Sequence, residues 1–139
     1  MRYLCIDLGD KRTGLALGDD ETNLVAPLEV VVQPRGDLLA KSLFEAISAQ
    51  RPGAIVIGLP LNMDGTEGPA AKSAREFGEF VRQRSGLNVH YQDGRLTSYA
   101  ADQRMSQTGR THGQKKAIRD AIAAAEILRD FLDGRTGKP

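Results

Sequence analysis

The sequence predicts an α/β fold in which a mixed five-stranded sheet, with three antiparallel strands followed by parallel ones, is flanked by helices. Three strand-like runs follow one another near the N-terminus and are joined by short turns, which is typical of an antiparallel meander. After them, helical and strand patterns alternate, which is typical of parallel strands with helices on both faces. A chain of 139 residues can bury one core, so we expect a single domain over residues 1–139.

The first three strands are expected at residues 2–9, 13–18 and 26–33. The first is a short apolar run and the third is rich in Val, as strands are. Asp37 can cap a helix that runs to about Gln50. The inward positions of this helix are expected to include Leu38, Leu39, Leu43 and Ile47.

Residues 53–58 form an apolar run that is too short for a helix and fits a central parallel strand. A loop and a helix follow it, and the helix is expected to end near Arg84 with Ala70 and Ala74 on its inner face. The remaining elements are a fifth strand and two helices, expected at residues 87–91, 97–107 and 115–132.

The composition excludes several classes of protein. Charged residues make up 27% of the chain and the net charge is +1, which argues against disorder and against a strongly basic nucleic-acid binder. The single cysteine, Cys5, lies in a strand core and is expected to be a buried apolar side chain. No segment is apolar enough for a membrane span or a signal peptide, so we expect a cytoplasmic protein without membrane contact.

Asp7 interrupts the apolar run of the first strand, directly before Leu8 and Gly9. Aspartate is depleted in strands, and burying an unpaired carboxylate is strongly unfavourable. One interpretation is that Asp7 hydrogen-bonds the turn that begins at Gly9. The other is that Asp7 binds a metal ion.

Asp120 poses the same question in the last helix. At about 100° per residue, it projects between the directions of Ile127 and Phe131, inside the apolar arc. It could be a first-turn acid favoured by the helix dipole. Taken together, Asp7 and Asp120 favour a shared metal site.

Strand ends and helix starts are expected to meet at one edge of this sheet, where Asp93 at the end of the fifth strand would join Asp7 and Asp120 as catalytic residues. Carboxylates suit Mg²⁺ or Mn²⁺, so Asp7 and Asp120 are predicted metal ligands. Two such ions could activate water and stabilise the leaving oxygen in phosphodiester cleavage.

Four further residues are predicted to bind substrate. Lys11 and Arg12 would stand beside Asp7, and Arg95 beside the fifth strand, where each could neutralise a phosphate. Asn62 lies in the loop after the central strand, where ligands gather in α/β sheets. That loop could also be a simple turn at Asp64-Gly65.

These segments together resemble the YqgF family, also called RuvX, of nucleases related to Holliday junction resolvases. The matching pieces cover nearly the whole chain and are Asp7–Gly9, Lys11–Gly14, Gly58–Glu67, Asp93, Arg95–Ser98, Asp120–Ala124 and Ile127-Leu128. The resemblance implies an RNase H-like fold and a metal-dependent nuclease that matures the 5′ end of pre-16S ribosomal RNA in the bacterial cytoplasm.

The chain departs from this family at Gly94, where the family usually has Glu. Adjacent strand residues point to opposite faces, so Asp93 could replace that acid only if the strand ends or bulges there. One hypothesis is an active RNA nuclease that uses Asp7, Asp120 and Asp93. A second is a protein that binds RNA or a ribosomal precursor without cutting it. A third is a junction resolvase acting on branched DNA, which would need a dimer; the sequence shows no obvious dimer face.

Overall fold

The computed structural model describes residues 1–95 and 112–135, and in the last helix it describes side chains from Ile118 onward. It contains one five-stranded sheet with the strand order β3-β2-β1-β4-β5. The strands β1 to β3 pair antiparallel, whereas β1, β4 and β5 are parallel. The predicted mixed sheet is therefore confirmed. The strands are β1 Arg2–Leu8, β2 Thr13–Asp19, β3 Val25–Val31, β4 Ala54–Leu59 and β5 Asn88–Asp93.

Three helices cover the two faces of the sheet. They are α1 Asp37–Gln50, α2 Pro69–Ser85 and α3 His112–Arg135. Both α1 and α2 pack on the face that carries Leu4 and Ile6. The opposite face, which carries Tyr3 and Cys5, packs on α3.

Alternation along β1 decides where its acid lies. The central residues of this strand are all buried because helices cover both faces, which explains the near-continuous apolar run. Successive side chains point to opposite faces, so Tyr3, Cys5 and Asp7 share the α3 face. The strand therefore directs the Asp7 carboxylate towards the last helix.

Several element boundaries differ from the sequence predictions. The third strand ends at Val31, two residues early, and β5 runs on to Asp93 because its ladder with β4 continues to the Leu59–Asp93 pair. The helix α3 begins at His112, three residues early. The predicted helix at 97–107 lies outside the described residues.

Three details of the predicted helices were wrong. Gly36, and not Asp37, is the N-cap of α1, and it provides no side-chain capping hydrogen bond. Asp37 is the first residue of the helix. Leu38 is 64% exposed. The buried face of α1 is formed by Leu39, Leu43 and Ala46, and Leu38 lies outside that face. Ala70 is likewise exposed, and Ala71 takes its place in the core.

None of the helices within the described residues is long and apolar enough to cross a membrane.

Candidate active site

The carboxyl ends of three parallel strands lie at one edge of the sheet. Asp7 is the penultimate residue of β1, Leu59 ends β4 and Asp93 ends β5. Ligands of open α/β sheets gather beyond such strand ends. The predicted acids and the loop after β4 therefore belong to the same edge.

Asp7 and Asp120 are brought together by a glycine. Gly14 on β2 is the direct cross-strand partner of Asp7. A methyl group at Gly14 would lie 1.9 Å from the backbone oxygen of Asp120, so the backbone of α3 rests directly on the strand here. Directly opposed residues in a sheet have Cβ atoms about 4.5–5.5 Å apart. Because Gly14 lies next to Asp7 and has no side chain, the backbone of Asp120 can pack on Gly14, and residue 120 therefore lies close to Asp7.

The electrostatics of Asp7 reflect this arrangement. The pKa of Asp7 is raised to about 6, first because burial disfavours the charged carboxylate and second because the negative charge of Asp120 is close. A cation between the two carboxylates would offset both effects. The surroundings of Asp7 are thus chemically suited to binding a cation.

The donor set fits a hard divalent cation. Both candidate ligands are carboxylates, and Mg²⁺ is commonly held by one or two carboxylates together with water and substrate phosphate. Among the residues that the structure describes, no group of three or more His, Cys, Asp or Glu side chains could hold a metal ion.

The structure does not bring Asp93 to this pair. Tyr91 packs with the α1–α2 face of the sheet, and Asp93 follows it by two positions on the same strand. Asp93 nevertheless lies at the strand end, where its charge still reaches Asp130 of α3: the pKa of Asp130 is raised first by burial and then by charges that include Asp93. Both carboxylate oxygens of Asp93 accept hydrogen bonds from Arg95. The hydrogen-bonded Arg95 side chain lowers the pKa of Asp93. That Asp93 serves as a catalytic acid stays a prediction.

Position 94, in contrast, faces α3. A Cβ at Gly94 would lie 3.6 Å from Cδ1 of Ile127, and a Cβ at Gly58 on the neighbouring strand would meet the same atom. The Gly94 N–H donates to the Leu59 oxygen at 2.9 Å, which continues the β4–β5 ladder past Asp93. An acid at position 94 would therefore share the face of Asp7.

The loop after β4 is held in a closed turn. The Asn62 N–H donates to the Thr66 oxygen at 2.9 Å, and the Asn62 side-chain amide donates to Thr66 Oγ1 at 2.9 Å. Gly65 closes the turn at a φ of +88°, a conformation that favours glycine. Arg95 donates from Nη1 to the Met63 oxygen at 3.2 Å, so the loop is connected to the end of β5.

Lys11 and Arg12 are exposed on the turn between β1 and β2, beside Asp7. This turn is tight, since a Cβ at Gly9 would lie 2.2 Å from the Arg12 oxygen. A third cation, Arg35, reaches the same turn: its Nε donates to the Gly9 oxygen at 3.5 Å, and its Nη1 donates to Ser73 Oγ. Sequence reasoning missed Arg35, because nothing in the residues around it indicates a contact with the first turn.

Other polar side chains near this edge have structural partners. Glu67 is held by Arg75 through two hydrogen bonds, and those bonds lower the pKa of Glu67. His90 packs against Phe131 with ring centroids 5.2 Å apart. Cys5 is fully buried, which confirms its predicted apolar role.

Comparison with known proteins agrees with this geometry. A family model described as "RuvX: Holliday junction resolvase" matches residues 1–134. A protein of an Anaeromyxobacter species named "Putative pre-16S rRNA nuclease" is 41% identical over 135 residues, covering 97% of this chain and 98% of that relative. A protein of Opitutus terrae with the same name is 41% identical over 140 residues, covering 100% of this chain and 96% of that relative.

Solved structures share the fold at low sequence identity. The RuvC protein of Thermus thermophilus in complex with a Holliday junction has a TM-score of 0.60 and 16% identity, with 99% of this chain and 96% of that chain covered. The fowlpox virus resolvase with Holliday junction DNA has a TM-score of 0.63 and 12% identity, with 97% and 99% covered. These likenesses confirm the predicted RNase H-like architecture.

Proposed function

The chain belongs to the RuvX family, and from this membership we propose that it is a nuclease that hydrolyses phosphodiester bonds at the 5′ end of pre-16S ribosomal RNA. The observation that carries the proposal is the meeting of Asp7 and Asp120 at the carboxyl edge of the sheet, across Gly14. The names of the full-length relatives support the substrate. A bacterial cytoplasmic location follows from that substrate.

We assign the metal site to Asp7 and Asp120, whose carboxylates fit one Mg²⁺ or Mn²⁺ ion. Such an ion, when bound, supplies charge stabilisation for a phosphoryl oxygen and lowers the pKa of a coordinated water. The role of the protein is to hold two acids on one face at the sheet edge, where a nucleic-acid strand can reach them. Burial of Asp7 strengthens its attraction for a cation, because the carboxylate is incompletely hydrated.

The substrate strand is positioned by the residues around the two acids. Lys11 and Arg12 are exposed beside Asp7 and can neutralise backbone phosphates of the bound strand. Asn62 and Arg95 border the same edge through the loop after β4. Contacts of this kind orient a nucleic acid without reading its sequence.

One observation favours a second candidate function, a protein that binds RNA without cutting it. Gly94 faces α3 but carries no side chain, and the described residues offer only two acids at the site. If cleavage needs a third carboxylate, this chain retains the binding surface alone.

The test uses a pre-16S RNA fragment with Mn²⁺ and compares the native chain with Asp7→Asn and Asp120→Asn. Cleavage by the native protein that falls about 100-fold or more in both variants supports the nuclease. Glu45→Gln is the matched control, since Glu45 is an exposed acid on α1 and its loss should leave cleavage unchanged. RNA binding without cleavage, unchanged by Asp7→Asn, would establish the second candidate.

The same experiment includes a four-way DNA junction as an alternative substrate, because the matching family model is described as a Holliday junction resolvase. Preferential cleavage of the junction, together with a two-fold symmetric dimer in solution, would replace the ribosomal substrate. Preferential cleavage of the RNA would retain it.

A further inference from the structure

We propose that Asp93 is a positioning residue, whose carboxylate holds Arg95 so that the guanidinium fastens the loop after β4 to the end of β5. The proposal rests on the proposed nuclease function and deepens it, because this loop lies at the edge where substrate meets Asp7. It gives Asp93 a role through Arg95 in place of a role as a metal ligand.

The carboxylate of Asp93 is fully engaged by one neighbour. Arg95 Nε donates to Oδ1 at 3.1 Å and to Oδ2 at 2.9 Å, and Nη2 donates to Oδ2 at 2.6 Å. The backbone N–H of Arg95 donates to Oδ1 at 2.9 Å. A forked arginine–carboxylate pair of this kind fixes both planes and is stronger than a single hydrogen bond. The Asp93 side chain is 36% exposed and the Arg95 side chain is 31% exposed, so the pair is partly shielded from water.

The other side of the guanidinium contacts the loop. Arg95 Nη1 donates to the Met63 oxygen at 3.2 Å and lies 3.7 Å from where a Cβ on Gly65 would stand. The pKa of Arg95 is raised, first by its hydrogen bonds with Asp93 and further by the charges of Asp93 and Asp64. One guanidinium therefore connects the last residue of β5 with the tip of the loop.

The loop is well formed within itself but needs a fixed orientation. Asp64 Oδ1 accepts hydrogen bonds from the Thr66 N–H at 3.0 Å and from Thr66 Oγ1 at 2.6 Å. These bonds, and those between Asn62 and Thr66, join loop residues only to one another. The contact of Arg95 with Met63 joins them to the neighbouring strand. Without Asp93 to orient it, the Arg95 side chain would have many rotamers, and its contact with the Met63 oxygen would be weakened.

The direction of Asp93 separates this role from metal binding. Asp7 follows Cys5 on the α3 face and feels the charge of Asp120, whereas Asp93 follows Tyr91 on the other face and its carboxylate is held by Arg95. Metal binding and positioning of the loop can therefore be distinguished by measuring Mn²⁺ affinity and the hydrogen exchange of the loop amides.

The experiment compares native protein with Asp93→Ala, Arg95→Ala and the double variant. Hydrogen exchange of the amides of Asn62, Gly65 and Thr66 is the structural measurement. In all three variants we expect these amides to exchange at least about tenfold faster than in the native protein. The double variant should exchange no faster than either single one, because both substitutions remove the same contact. Glu79→Ala is the matched control, since it removes another exposed carboxylate–arginine pair, with Arg82, and should leave loop exchange unchanged.

Mn²⁺ affinity and steady-state kinetics separate the remaining outcomes. In Asp93→Ala we expect Mn²⁺ affinity within about twofold of native, and a KM for RNA raised about fivefold or more with kcat nearly unchanged. An Mn²⁺ affinity reduced as strongly as in Asp7→Asn would make Asp93 a ligand and overturn the proposal. Unchanged loop exchange would also overturn it. If Asp7→Asn binds Mn²⁺ like the native chain, the proposed metal site fails, while the exchange result still decides the role of Asp93.

Discussion

Replacing Gly14 by alanine is the sharpest test of how the two acids are brought together. The new methyl would lie 1.9 Å from the Asp120 oxygen and 2.3 Å from its carbonyl carbon, whereas ordinary contact begins at 3.4 Å. The obstacle is helix backbone, which cannot rotate away as a side chain can. The strand and α3 must therefore separate by about 1.5 Å at the residue that carries the acid.

The expected cost has two parts. Overpacking of this kind destabilises a fold by about 1–3 kcal/mol, which urea unfolding in EDTA would measure. Displacement of Asp120 by about 1 Å should also lower Mn²⁺-dependent cleavage by about 100-fold, and a Mn²⁺ titration should show weaker binding. Gly134→Ala is the control, because nothing lies within 4 Å of its Cβ position and alanine favours a helix. Stability within about 0.5 kcal/mol of native, with native Mn²⁺ affinity, would refute the reasoning that α3 rests on β2 at Gly14.

Further predictions concern the same edge of the sheet. Because the pKa of Asp7 is raised from 3.8 to about 6, the native state binds more protons than the unfolded state between these values, so metal-free protein should lose stability as pH rises from about 4 to 6. The loss, on the order of 1–2 kcal/mol, should be absent in Asp7→Asn when unfolding is measured in EDTA across that range. Mn²⁺ at 100 times its Kd should raise the unfolding free energy by about 2.7 kcal/mol, and a melting temperature unchanged by Mn²⁺ would argue against the site. Gly94→Glu adds a carboxylate on the α3 face, with its Cβ 3.3 Å from the Leu59 oxygen; we expect tighter Mn²⁺ binding and faster cleavage, whereas equal activity would mean that two acids suffice.

Much of the fold could be predicted from the sequence because burial leaves a clear pattern. The strands β1 and β4 are covered on both faces, so their apolar runs are nearly continuous and easy to recognise. The end of β5 was harder, because Gln92 and Asp93 are polar and only the hydrogen-bond ladder with β4 shows that they continue the strand. The start of α3 was missed because Gly113 resembles a loop residue, although the helix includes it.

The candidate site was predictable in part. Asp7 and Asp120 could be found because each charge interrupts an apolar pattern, and the structure places them together. The role of Gly14 could not be found, since an absent side chain gives no signal until the helix is docked. The pairing of Asp93 with Arg95 was open to prediction, because an aspartate side chain commonly accepts a hydrogen bond from the backbone N–H two residues on, as Asp93 does at the turn after β5. Arg35 reaches the site from a distant connection and could not be inferred from sequence spacing.

The two acids belong to the first strand and the last helix, at opposite ends of the folding unit. During translation β1 leaves the ribosome long before α3 is made, so an unfinished polypeptide displays one carboxylate without its companion. Under the proposed function, the metal site would therefore be incomplete until synthesis has passed residue 120.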